Sequence, residues 1–144
     1  MKVQNYAHHK RFVVGFHLVA GSLLAIGTIV SLINAYLQIT SHDSVIGSIL
    51  IVVLFICGLL LFWYARTFAV TVQDRAIRSE ENLRHYILAH KPLDSRITMS
   101  QVIALRFAPD DEFLVLADRA AREDLTNDEI KRAIKNWRPD HYRA

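Results

Sequence analysis

Apolar residues fill the first half of the chain in two long runs separated by a short polar segment. Residues 12–37 and residues 45–65 contain no formally charged side chain. As α-helices, both runs are long enough to cross a hydrocarbon layer of about 30 Å. The polar residues between them are too few to form a domain. The pattern predicts a two-helix transmembrane hairpin, with transmembrane helix 1 at 12–37, an external connection at 38–44 and transmembrane helix 2 at 45–65.

The second apolar run passes into a charged segment without any helix breaker. Arg66 marks the change in composition, and neither glycine nor proline occurs between Gly58 and Pro92. Proline disrupts a helix interior, so the helix is expected to end at Lys91-Pro92. The pattern predicts that the second span is continuous with a stalk helix over residues 66–91.

The remaining residues, 92–144, show three separate helix starts. Thr98 with Gln101 and Thr126 with Glu129 have the spacing of capping boxes, and Pro109 is followed by three acidic residues. Helices this short are marginal alone, so they are expected to pack on one another and on the stalk. The predicted fold class is an all-α membrane protein, in which a hairpin and stalk carry a cap of three short helices.

The positions of the basic residues predict an orientation for the hairpin. Lys10 and Arg11 close the N-terminal segment 1–11, and Arg66, Arg75 and Arg78 follow the second run, whereas residues 38–44 contain no Lys or Arg. Because basic residues favour the cytoplasmic side of a membrane, both termini are expected in the cytoplasm.

Charge composition argues against a nucleic-acid partner. The net charge is +3, but from Arg66 onward fourteen Lys or Arg face thirteen Asp or Glu. A nucleic-acid-binding surface needs a field of one sign, and this segment offers none. The single cysteine, Cys57, lies in the second apolar run and cannot form an intramolecular disulfide.

The seven histidines do not form a recognisable metal site. His8 and His9 are neighbours and would point about 100° apart on a helix, and the HExxH spacing is absent. A site assembled from His8, His9 and His17 by folding is the alternative to ordinary surface and interfacial histidines. The acidic run after Pro109 is explained by its place at a helix start. We therefore predict no catalytic residue, no metal and no cofactor.

Small and polar residues recur along the first span with the repeat of a helix contact. This candidate packing seam has spacings of four, three, four, three and four, and consists of His17, Gly21, Leu24, Thr28, Ser31 and Ala35. Small residues let helices approach closely in a membrane, so close approach is expected at Gly21 and Ser31. The seam is expected to face the second span, with another protomer as the alternative. The simpler interpretation of His17 is a neutral imidazole hydrogen-bonded to Tyr64 or to a lipid headgroup, and the other is a functional group.

On a helical wheel the apolar residues of the stalk cover one broad arc. They are Val70, Ala76, Ile77, Leu83, Ile87 and Leu88. Gln73, Glu80 and Arg84 fall inside this arc, whereas Arg75, Arg78, Asn82 and His85 fall outside it. Glu80 precedes Arg84 by four residues, the favourable order for an ion pair. We predict a polar cluster of Gln73, Glu80, Arg84 and Arg106 enclosed between stalk and cap; a solvated stalk and a polar ligand pocket are the alternatives.

Four groups of residues along the chain form a distinctive pattern. They are Gln4-Asn5-Tyr6 with His9 and Phe16-His17; Gln73-Asp74-Arg75, Ile77-Arg78, Glu80-Glu81 and Leu83-Arg84; Gln101 with Ile103-Ala104-Leu105-Arg106-Phe107-Ala108; and Trp137, Asp140 and Arg143. In this pattern the chain resembles an uncharacterised bacterial family of two-span membrane proteins, a domain of unknown function. The resemblance implies a multi-pass protein of the bacterial inner membrane with a cytoplasmic helical domain, and it implies no activity.

These features favour a non-enzymatic adaptor or accessory subunit that presents a cytoplasmic helical domain. An oligomeric transport or channel-like protein is the alternative, and it requires several copies because two spans cannot enclose a pore. A membrane-bound enzyme of undefined reaction is a further alternative. The expected partners are the lipid bilayer and either further copies of the chain or a larger membrane complex.

Overall fold

The computed structural model describes Tyr6, residues 12–42 and residues 44–140, and the long elements in this part of the chain are helices. A π-helical turn, Gly15–Ala20, leads into helix α1, Gly21–Thr40. Helix α2 spans Ile46–Ala89, and three shorter helices follow: α3, Met99–Leu105; α4, Asp110–Glu123; and α5, Asn127–Ala133. The chain forms two compact units. We call residues 12–69 the apolar unit, and Tyr6 with residues 70–140 the C-terminal unit.

The predicted continuity of the second apolar run with the charged segment is confirmed. Helix α2 is a single helix of 44 residues, and it ends at Ala89, two residues before the predicted limit. His90 follows in the left-handed region with a φ of 55°, which stops the helix before Pro92 is reached. Helix α1 extends to Thr40, three residues beyond the predicted end of the first span.

The apolar unit presents hydrophobic side chains on most of its surface. Large apolar residues of both helices are more than half exposed, among them Leu23, Leu54 and Leu61. A water-soluble protein rarely exposes apolar surface on this scale. Both helices are long and apolar enough to cross a membrane.

Within the apolar unit, aromatic and small residues of the two helices meet. The Phe16 and Phe62 rings stack with 4.2 Å between their centroids. The Phe55 ring occupies the place where a Cβ atom on Gly27 would lie, and a Cβ on Gly58 would be 3.0 Å from Leu24 Cδ2. Dispersion contacts of this kind are the main attraction between helices that have no water to exclude.

All six seam residues are buried or half-buried on α1 and the turn before it, and Ser31 is the most buried of them. The tightest contact at a glycine of α1 lies outside the seam, at Gly27. Gly21 leaves room for a Cβ, whose nearest contact on the second helix would be Phe62 at 3.6 Å. The Phe55 ring lies against Gly27 instead, one position before Thr28. The bulk of the facing side chain, and not the glycine alone, therefore decides where the helices touch most tightly, and the expected close approach at Gly21 stays a prediction.

The C-terminal unit has a closed apolar core. Phe107, Phe113, Leu105 and Ile130 are almost completely buried, and α2 contributes Ile77 to the same cluster. Burying each such side chain is worth about 1.5–3 kcal/mol relative to leaving it in water, so this core is what makes three short helices stable together.

Local side-chain hydrogen bonds fix where the short helices begin. Both predicted capping boxes, Thr98 with Gln101 and Thr126 with Glu129, are confirmed. Pro109 lies at the N-cap of α4, directly before the three acidic residues. The Gln101 side chain also donates to the Leu125 carbonyl at 2.9 Å, which joins the start of α3 to the loop after α4.

We predict that Gly27→Leu lowers the thermal stability of the apolar unit, whereas Gly15→Leu does not. The new side chain at Gly27 must displace the Phe55 ring, and overpacking of this kind costs roughly 1–3 kcal/mol. Nothing lies within 4 Å of a Cβ at Gly15. Both changes raise intrinsic helix propensity equally, so Gly15→Leu is a matched control. The measurement is the melting of helical circular dichroism in a mild detergent; equal melting temperatures would contradict the close contact.

Candidate functional site

Arg84 joins α2 to the start of α4 through hydrogen bonds from all three nitrogen atoms of its guanidinium group. Its Nη1 donates to Glu81 Oε2 at 3.0 Å, its Nη2 to the Ala108 carbonyl at 2.8 Å and its Nε to Asp110 Oδ1 at 2.7 Å. The guanidinium carbon also lies 4.3 Å from the centroid of the Phe113 ring. A planar group with five donors can satisfy several acceptors at once, which a lysine cannot do. Arg84 therefore fixes the position of α4 relative to this part of α2.

Glu81 is the buried acid of this cluster. It is 5% exposed, and its second carboxylate oxygen lies 4.0 Å from Arg138 Nη1. Glu80 is exposed instead. The prediction of an enclosed Glu80–Arg84 pair is wrong: the pair is Glu81–Arg84, three residues apart.

The error has a simple geometric cause. The broad apolar arc on the wheel consists of two stripes that lie on opposite sides of α2. Val70, Ile77 and Leu88 share one stripe, and within it Glu81 and Arg84 follow Ile77 by four and seven residues. Leu83 and Ile87 belong to the other stripe and are 59% and 63% exposed. The spacing from Ile77 to Glu81 to Arg84 to Leu88 was the sequence signal that identifies Glu81.

His85 and Asn82 bind the backbone of the loop that follows α2. His85 is 7% exposed, and its Nδ1 is 2.8 Å from the Lys91 carbonyl, which it reaches as a donor. Asn82 Oδ1 accepts from the Leu93 amide at 2.9 Å. The prediction that placed His85 outside the packed face is therefore wrong, because the loop after α2 turns back over this side of the helix.

Arg106 is the second buried arginine, and it lies near the end of the described chain. It is 7% exposed, its Nη1 is 3.0 Å from Asp140 Oδ2, and its guanidinium carbon is 4.7 Å from the Phe107 ring centroid. Burial lowers the pKa of Arg106, while the charge of Asp140 acts in the opposite direction. An arginine pKa starts so high that the group stays charged at neutral pH.

A cavity of about 390 Å³ lies between α2 and the segment that covers Arg106. Its lining includes Gln73, Glu80, Glu81, Arg106 and Asp140. Gln73 is half-buried here, so three of the four predicted cluster residues border one cavity, and Arg84 lies in the adjoining network. The Nε and Nη1 atoms of Arg106 are both shielded from solvent, and Nε has no hydrogen-bond partner among the described residues. A ligand that entered the cavity would therefore reach the carboxylates of its lining more readily than the guanidinium of Arg106.

His17 contacts its own helix. Its Nδ1 lies 3.0 Å from the Val13 carbonyl, and its ring stacks on Phe12 at 4.8 Å. The described contacts of His17 do not include Tyr64. Across residues 12–42, 44–140 and Tyr6, no group of three or more His, Cys, Asp or Glu side chains could hold a metal ion. His8 and His9 lie outside the described residues.

Together, these observations define an all-helical protein that has two helices apolar enough to cross a membrane and a helical unit locked by buried ion pairs. A family model described as a family of unknown function (DUF6526) matches residues 1–144, so the chain belongs to that family. The resemblance to a family of unknown function is thereby confirmed. Neither the curated proteins nor the solved structures contain a match.

We predict that Glu81→Ala destabilises the C-terminal unit far more than Glu80→Ala. Removing the buried carboxylate leaves Asp110 as the one charged partner of Arg84 among the described ion pairs, and breaking a buried pair costs about 3 kcal/mol or more. The exposed neighbour is expected to change stability by less than about 0.5 kcal/mol. Chemical unfolding of the full chain in detergent, followed by tryptophan fluorescence, measures both effects.

A Trp63→Phe background leaves Trp137 as the only tryptophan, and its ring lies 4.9 Å from that of Phe107 in the core of the C-terminal unit. Fluorescence then reports on this unit alone. If Glu80→Ala proved as costly as Glu81→Ala, the assignment of the buried acid would be incorrect.

Proposed function

We propose that this protein is a membrane-anchored, non-enzymatic adaptor. Its two apolar helices form a hairpin in the bilayer, and its C-terminal unit stands in the cytoplasm to bind another component of a membrane complex. The partners of the hairpin are lipids, and those of the C-terminal unit are proteins.

The observation that carries the proposal is helix α2 itself. Its first half is among the most apolar parts of the chain, whereas its last turns supply Ile77, Glu81 and Arg84 to the core and ion pairs of the C-terminal unit. A helix built in this way couples an anchor to a folded domain without a flexible linker. Direct attachment of a folded domain to a membrane anchor suits recognition of a neighbouring membrane component.

The packing of the C-terminal unit supports an adaptor over an enzyme. Its buried Glu81 and Arg106 and its half-buried Arg84 are engaged by other side chains, and the two arginines also contact aromatic rings. Groups held in this way stabilise a shape, whereas a catalytic group must be able to reach a substrate.

The contacts of Tyr6 support the placement of the segments before and after the hairpin on the same side of the membrane. Its hydroxyl donates to Asp128, and its ring lies under the Arg132 guanidinium with 5.3 Å between the guanidinium carbon and the ring centroid. The hydrogen bond with Tyr6 also holds the pKa of Arg132 above its ordinary value. Tyr6 precedes the first apolar helix and α5 follows the second. Their contact is consistent with both termini in the cytoplasm, as the positions of the basic residues predict.

We predict that a cysteine at Ser41 or Ser44 is labelled by a membrane-impermeant maleimide in intact cells. Both positions lie between the two apolar helices and are exposed. The background is Cys57→Ser, which removes the only native cysteine. A cysteine at the exposed Ser95 of the C-terminal unit is the control and should react only after the membrane is permeabilised. The reverse pattern would show that the hairpin has the opposite orientation.

The adaptor role itself is tested by photo-crosslinking in native cells. Among described residues beyond 90, Val115 is the only large apolar side chain classed as exposed, at 66%. A photoreactive residue at the adjacent helical position Asp111 should give a discrete product with another protein. Val115→Glu should abolish this product, and Ser95→Glu should leave it unchanged. Absence of any discrete product from Asp111 and from further exposed positions of α4 would overturn the adaptor role, whatever the topology.

A further inference from the structure

A second stripe of side chains runs along the C-terminal part of α2 and is left uncovered by the helices of its own chain. Val72, Leu83 and Tyr86 are 67%, 59% and 54% exposed, and Ala76 and Ser79 complete the series. The spacings are four, three, four and three residues. This is the heptad repeat, in which apolar residues alternate at three and four positions along the contact between two helices.

The stripe is distinct from the face that the C-terminal unit uses. At about 100° per residue, it lies roughly 200° around α2 from the line through Ile77, Glu81 and Leu88. Those three residues are buried or half-buried, whereas every member of the heptad stripe is exposed. The folded unit therefore accounts for one side of the helix and leaves the apolar character of the other side unexplained.

We propose that this stripe binds the same stripe of a second copy of the chain, forming a short parallel, in-register coiled coil. Ala76 and Leu83 occupy the a positions, and Val72, Ser79 and Tyr86 the d positions. The small residues Ala76 and Ser79 allow close approach of the two backbones, while Leu83 and Tyr86 supply the buried apolar area.

Charge complementarity identifies a second copy as the occupant. In this register Arg75 is a g position and Glu80 is the e position five residues later. A parallel, in-register pair places each g residue beside the e residue of the following heptad in the partner. Arg75 of one copy would therefore meet Glu80 of the other, and the two-fold symmetry creates the pair twice. Both side chains are exposed and flank the stripe on opposite sides.

Anchoring in a bilayer makes so short a contact sufficient. Two copies inserted with the same orientation present their α2 helices in parallel, and confinement to the membrane raises their effective concentration. A stripe of about two heptads would be too weak for free peptides in water. The dimer rests on the membrane anchoring of the proposed function and does not depend on the adaptor role.

Disulfide trapping in native membranes tests the proposal. In the Cys57→Ser background, Ser79→Cys places a thiol at the centre of the contact, and mild oxidation should yield a covalent dimer of the chain. Arg78→Cys is the matched control, since it is the adjacent exposed position about 100° away, and it should remain monomeric. Equal trapping at both positions, no trapping at Ser79, or a product with another protein would each overturn the proposal.

Charge reversal then tests the register. In the Ser79→Cys background, Arg75→Glu or Glu80→Arg alone should reduce trapping, and the two together should restore it. Leu83→Glu should abolish trapping, while Trp137 fluorescence shows that the C-terminal unit remains folded. Failure of the double reversal to restore the dimer would rule out the parallel pairing. Maleimide labelling of a cysteine at Ser41, in cells of the same strain, shows separately whether the hairpin has the proposed orientation. A lost dimer can thus be distinguished from an inverted hairpin.

Discussion

The guanidinium of Arg84 is the interaction on which the C-terminal unit depends most. A charged group that is taken out of water must find partners, because its lost hydration costs several kcal/mol. Arg84 finds them in Glu81 on its own helix, in the Ala108 carbonyl and in Asp110 at the start of α4. These acceptors come from two segments that the apolar core alone could join in more than one way. The ion pairs thus select one arrangement among those that bury similar apolar area.

Features that depend on neighbouring residues could be predicted from the sequence. The capping boxes at Thr98 and Thr126 involve residues three positions apart, and the unbroken helix α2 follows from the absence of glycine and proline after Gly58. The end of α2 was harder to predict from the sequence, because His90 in the left-handed conformation stops the helix before the proline. Histidine is enriched among non-glycine residues with positive φ, but it adopts this conformation too seldom for the sequence alone to place the helix end at His90.

The buried cluster could be predicted only in part, because its geometry depends on residues far apart in the chain. Arg84 and Arg106 were identified as cluster members from their places in the pattern, but the choice between Glu80 and Glu81 requires knowing which side of α2 is covered. The wheel merges two stripes, since both are apolar. Asp110 and Asp140 complete the ion pairs with Arg84 and Arg106, and nothing local in the sequence marks them as partners. The same limit applies to Gly27, whose role depends on the bulk of Phe55.

The contact between Tyr6 and Asp128 has a consequence for how the molecule is made. The two residues are 122 positions apart, and both apolar helices lie between them, so Asp128 is synthesised well after Tyr6 and after both of these helices. The cost of closing so long a loop rises only logarithmically with its length. The order of synthesis, however, is fixed: the contact with Asp128 cannot form until α5 has emerged from the ribosome, by which time both apolar helices have been made. Completion of the C-terminal unit therefore follows synthesis of the two apolar helices, and it joins two segments that lie on either side of them in the sequence.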